Sequence, residues 1–201
     1  MSARRTIDVS GLPTYAFGHR QLTWWATCSM ILMEGTMLVV FLISYFFLST
    51  RVPQWPPSPM RPPDLLWGTV NTGIILLSFI PNHFAKKAAE GLDLRGVRLW
   101  TTVTLAFGIA FAVVRVFEFG ALNCSWDQNA YGSIVWANMV FHTTHVLTDL
   151  VDTIVLILLM FVGPIGGKRF VDISENSIYW NFVIVIWLMV YAVIYIAPRV
   201  L

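Results

Sequence analysis

From Trp24 to Leu48 the chain carries a single charged residue, Glu34. A backbone that long with so little charge suits the hydrocarbon of a bilayer, where roughly 20 apolar residues make one crossing and only a helix satisfies its own amides. The pattern recurs at 65–84, 99–122, 133–162 and 178–197. The expected fold class is therefore all-α, an integral membrane bundle of five transmembrane helices. A hydrophobic content of 57% and a mean hydropathy of +0.69 agree, since soluble domains are far less apolar. A formal net charge of +2 excludes nucleic acid as a partner class.

Lysine and arginine fall unevenly between the spans. Nine lie in segment 1–23 and in the loops after spans two and four; three lie in the other loops and at the C-terminal end. The positive-inside rule places the N-terminal segment in the cytoplasm, as an arm of residues 1–23 before one transmembrane domain of residues 24–201. Nothing in the first residues reads as a cleavable signal. This topology puts Cys28 and Cys124 on opposite sides, which argues against a disulfide. The loop 49–64 holds six prolines and cannot form a regular helix; a docking surface and a spacer are equally open. Pro81 is expected to interrupt the second span near its end, followed by a compact charged loop at 86–98.

The polar residues inside the spans carry the functional information. His142, His145, Asp149 and Asp152 follow one another at gaps of three, four and three, which places them on one helical stripe. Ionisable groups at membrane depth cost about 2.5 kcal/mol or more, so the stripe faces protein or water. Contacts to a neighbouring helix, proton handling and a metal site are the readings this pattern allows. Arg115 and Glu118, three apart, form an internal ion pair. Glu34 has no charged neighbour at helical spacing and needs either a partner on another helix, such as a histidine or Arg115, or a proton. Aromatic residues near the span ends, Tyr179, Trp180, Tyr191 and Tyr195 among them, read as interfacial rims.

Five short motifs occur in order on the five spans. They are Met33-Glu34-Gly35-Thr36-Met37-Leu38, Asn71-Thr72 through Ser78, Phe107-Gly108 through Glu118-Phe119, Tyr131-Gly132-Ser133 with Phe141-His142-Thr143-Thr144-His145-Val146, and Tyr179-Trp180-Asn181-Phe182-Val183 with Trp187. Together they resemble subunit III of the haem-copper oxidases, the cytochrome c oxidase and quinol oxidase family, in its short five-helix bacterial form. The resemblance spans about 24–197. Arg115 stands where the family often has glutamine, Thr143 and Asp149 replace glycines, and Asp152 is additional.

The resemblance implies an accessory subunit of a terminal oxidase that reduces oxygen to water and translocates protons. It implies no redox centre in this chain, haem and copper in the catalytic partners, contact with subunit I and subunit II, and bound phospholipid in a cleft. The location it implies is the bacterial inner membrane, multi-pass. Stability of the catalytic subunit and proton uptake would be its contribution, with Glu34, Glu118, His142 and His145 carried over as internal polar contacts, lipid contacts or proton-entry groups. Two other readings are an accessory subunit of a nitric oxide reductase and a stand-alone membrane enzyme holding a metal on His142, His145, Asp149 and Asp152.

Overall fold

In the computed structural model, which describes residues 15–200, five long helices account for most of the described residues. They are α1 (Leu22–Ser49), α2 (Leu65–Glu90), α3 (Leu94–Gly120), α4 (Ala130–Val162) and α5 (Gly167–Tyr191), and each is long and apolar enough to cross a membrane. The chain is a multi-pass all-α membrane protein. After α5 the backbone continues through a π-helical turn, Ala192–Ile196, and a 3-10 turn, Ala197–Arg199. Residues 1–14 of the N-terminal arm lie outside the described residues.

The helices run past the apolar spans because apolarity marks only the part that sits in hydrocarbon, whereas caps set the ends. The Asp93 side chain accepts the Arg95 amide at 3.1 Å and starts α3 before the apolar run. Asn129 does the same for α4 through the Gly132 amide, at 3.0 Å. The charged segment 86–98, expected as a loop, is thus mostly helix, and the turn between α2 and α3 is only Gly91 to Asp93. Lys168, Arg169, Asp172 and Glu175, also expected in a loop, occupy the first turns of α5.

Pro81 does not end α2. The helix continues to Glu90, and the next residue ties it to α5: Asn82 Nδ2 donates to Ser177 O at 3.0 Å and to Asn181 Oδ1 at 2.9 Å. Such bonds between helices are worth about 0.6–2 kcal/mol in a membrane.

Helices α4 and α5 form the central pair. The α2/α3 hairpin packs against them on one side and α1 on the other. The main core gathers Tyr45, Phe111, Tyr131, Met139, Trp180 and Trp187 from all but α2, which adds Ile75. The proline-rich loop folds back on this core: Trp55 meets Tyr45 and Tyr131 edge-on at 5.3 and 5.0 Å, and Pro56 and Pro63 are buried. Asn123 donates to Pro62 O and to Asp64 Oδ1, both at 3.1 Å, so the loop is fastened to the turn after α3. Both cysteines are free thiols.

Candidate functional site

The central helix pair carries polar groups on both flanks, and the sequence stripe is divided between them. On the α2/α3 flank, Arg115 forms its ion pair with Glu118 at 2.9 Å, the two side chains 2% and 0% exposed. Neighbouring helices hold the pair on several sides, with Arg115 Nε left without a hydrogen-bond partner among the described residues. Asn71 Nδ2 donates to Glu118 Oε2 at 2.7 Å, and the Tyr195 hydroxyl donates to Oε1 at 2.5 Å. The guanidinium lies over the Trp187 ring at 4.0 Å and the Phe111 ring at 4.6 Å. This satisfies a charge that lipid could not, by contributions from α2, α3 and α5 at once.

His142 belongs to this cluster. Its Nδ1 lies 3.4 Å from Arg115 Nη2, and its Nε2 lies 3.1 Å from Val183 O. Guanidinium only donates and carbonyl only accepts, so the imidazole is the neutral tautomer with its hydrogen on Nε2. It links α3 to α5 and has no lone pair left over for a metal.

On the α1 flank, Glu34 meets a different histidine. Glu34 Oε2 accepts the Tyr179 hydroxyl at 2.7 Å and lies 3.5 Å from His145 Nε2, so the lone acid of α1 has its partners on α4 and α5. His145 Nδ1 faces Phe141 O, one turn earlier, at 2.6 Å. Asp149 and Asp152 turn toward α5 as well. One amide, Asn176 Nδ2, reaches Asp149 Oδ1 at 3.1 Å and Asp152 Oδ2 at 3.5 Å, while Asn176 Oδ1 accepts from Thr153 at 3.2 Å.

Beside these residues α1, α4 and α5 enclose a groove of about 720 Å³. It begins at Thr23 and Arg169, passes Asp152 and Asp149, and reaches Glu34 and Tyr179. At 1.5 Å per residue, Glu34 lies roughly 18 Å along α1 from its first residue. Among the described residues no three His, Cys, Asp or Glu side chains converge as metal ligands do. The four-residue metal site allowed by the sequence therefore does not assemble, because His142 leans from the shared stripe toward α3 and His145 toward α1, and each is bonded to protein.

Sequence reasoning missed the tyrosines. Tyr179 and Tyr195 are not interfacial rims but buried donors to Glu34 and Glu118. A signal was present: Asn176, Tyr179, Val183 and Trp187 recur at helical spacing and share one face of α5. Asn176 went unnoticed, and Glu175 counted only as a loop charge, because their segment read as loop.

A family model described as Cytochrome c oxidase subunit III matches residues 19–198, which takes in all five helices and both polar clusters. The chain belongs to the cytochrome c oxidase subunit III family. Its similarity extends over most of the length of individual relatives. It is 27% identical over 175 residues to cytochrome c oxidase subunit 3 of Thermostichus vulcanus, covering 84% of each chain. It is 28% identical over 145 residues to the probable cytochrome c oxidase subunit 3 of Nocardia farcinica, 71% of each. To the corresponding Mycobacterium tuberculosis protein it is 28% identical over 156 residues, 75% of this chain and 76% of that one. Members of the subunit III family are components of an oxidoreductase complex, and the conversions it performs are those of the complex rather than of this chain alone.

Proposed function

We propose that this chain is the accessory subunit III of a bacterial haem-copper terminal oxidase that reduces oxygen to water and translocates protons. Subunits I and II are its partners, and they hold the haem and copper. It lies in the cytoplasmic membrane with its N-terminus inside, binds phospholipid along its helices, steadies the catalytic subunit and supports proton uptake. The observation that supports this reading best is the placement of Glu34, Glu118, His142 and His145. All four are held in interhelical polar contacts, and Glu34 lines a groove that also takes in Thr23 and Arg169. A chain with two buried polar clusters and two histidines committed to protein partners serves as a scaffold beside a redox centre better than as a redox centre. The names of the relatives favour oxygen over nitric oxide as the substrate of the complex.

The test is removal and return of the chain. Oxidase stripped of this subunit is expected to turn over at first and then lose activity sooner than the intact complex, with the lifetime restored on adding the chain back. An unchanged lifetime would refute the accessory role.

A further inference from the structure

The groove between α1, α4 and α5 is short of hydrogen-bond donors. Its lining holds five carboxyl side chains, Glu34, Asp149, Asp152, Asp172 and Glu175, against one guanidinium, that of Arg169. Arg169 is engaged by Asp172 at 3.5 Å, and Glu34 has its partners in Tyr179 and His145. Asp149 and Asp152 share a single donor, Asn176 Nδ2, at 3.1 and 3.5 Å. A recess lined by one sign of charge concentrates ions of the other sign.

Glu175 is an independent observation that points to a guest. It is 6% exposed and lines the groove, yet neither of its carboxyl oxygens has a hydrogen-bond partner among the described residues. Thr27 of α1 lines the same groove, and its hydroxyl makes no hydrogen bond to either oxygen. Lys86 is paired with Glu90 at 4.0 Å, and the Ser174 hydroxyl donates to that same Glu90 at 3.2 Å. A buried carboxyl with two bare oxygens is destabilising until donors reach it.

The lining narrows the chemistry of that guest. Among the described residues no three acidic, histidine or cysteine side chains converge as metal ligands, so a metal ion would lack a protein coordination shell. A quaternary ammonium has no N–H to donate and is held by several aromatic faces, whereas Tyr179 is the single ring on this lining. An alkylammonium suits both walls. Its N–H groups supply the donors that Asp149, Asp152 and Glu175 lack, and its methylenes can lie on Met30, Val155 and Leu159. We infer that the groove is a binding site for a primary alkylammonium group, held by Asp149, Asp152 and Glu175. The group is carried by a soluble amine or by the headgroup of an aminophospholipid. This goes beyond the accessory role and stands or falls separately from it.

Two probes separate the sources. Labelled putrescine, in equilibrium dialysis against the full chain in its purified complex, tests the soluble amine. Delipidated complex exposed to vesicles of equal phosphatidylethanolamine and phosphatidylcholine, followed by native mass spectrometry of the retained lipid, tests the headgroup. The expected result is saturable binding of at least one of these amines, weakened about tenfold or more in each of Glu175→Gln and Asp152→Asn, since each change removes a charge-assisted hydrogen bond. Choline and potassium should fail to compete. Binding of putrescine assigns the site to a soluble amine; selective retention of phosphatidylethanolamine alone assigns it to a lipid headgroup. Absence of both from the parent complex would overturn the site whether or not the variants fold. Binding unchanged in both variants, or displaced equally well by potassium, would overturn recognition of an ammonium group by these carboxyls.

Discussion

The Tyr195 hydroxyl donates to Glu118 Oε1 at 2.5 Å, joining the π-helical turn after α5 to the end of α3 across 77 positions of sequence. Together with Asn71 and Arg115 it satisfies a carboxylate that is fully buried. Removing one donor from a buried charged acceptor costs about 1–3 kcal/mol. Tyr195→Phe is therefore expected to lower the thermal midpoint of the detergent-solubilised complex while leaving its helical circular dichroism in place. An unchanged midpoint would show that the hydroxyl carries no weight.

The ion pair beneath that tyrosine predicts non-additivity. Arg115→Met leaves Glu118 buried beside uncharged donors only, and loss of one partner from a buried pair costs about 3–5 kcal/mol. Replacing both residues, as Arg115→Met with Glu118→Met, should cost clearly less than the sum of the two single changes. Thermal midpoints of the three variants give the coupling, and strict additivity would count against a direct pair.

Two glycines of α2 should respond in opposite ways. A Cβ on Gly68 would lie 2.6 Å from the Tyr195 ring, whereas one on Gly73 meets nothing within 4 Å. Gly68→Ala is expected to destabilise by about 1–3 kcal/mol through overpacking. Gly73→Ala should be neutral or raise stability by up to about 1 kcal/mol through helix propensity. The ranking of the two midpoints is the measurement.

Glu34→Ala removes the groups that face Tyr179 and His145 but sits on the loosely packed helix α1, so assembly should persist. The expected effect is a shorter catalytic lifetime at an initial rate close to the parent's. A lifetime equal to the parent's would argue against a functional Glu34.

In the turn after α3, burial pushes the Cys124 thiol up from its ordinary value to about 11. Because the thiolate is the reactive form, alkylation by a soluble maleimide should be slow at pH 8 and rise by about tenfold per pH unit until it levels near that value. A rate that levels off below pH 9 would contradict this environment.

Much of this architecture was legible before any coordinates. Long runs almost free of charge can only cross a bilayer as helices, which made the five-helix bundle readable, and the three-residue spacing of Arg115 and Glu118 made their ion pair readable. The order of motifs along the spans pointed to the subunit III family. The rest lay beyond periodicity. Charged first turns such as Lys168 to Glu175 look like loop because hydropathy sees hydrocarbon, not hydrogen bonding. The division of His142 and His145 between two flanks depends on α4 being the middle helix, since only a helix with neighbours on both sides splits its polar stripe. Tyr179 and Tyr195 became donors to buried acids for the same reason: α5 is enclosed by α1, α2 and α4, so its aromatic face meets carboxylates rather than the membrane surface.

Membership of a haem-copper oxidase is the claim on which the functional account stands. It is tested most directly by crosslinking native membranes that contain an affinity-tagged copy of this chain, extracting in mild detergent, and recording a reduced-minus-oxidised absorption spectrum of what the tag retains. The account predicts haem bands of a terminal oxidase, with larger subunits crosslinked to this chain. A preparation of the chain alone, free of haem after crosslinking, would contradict it.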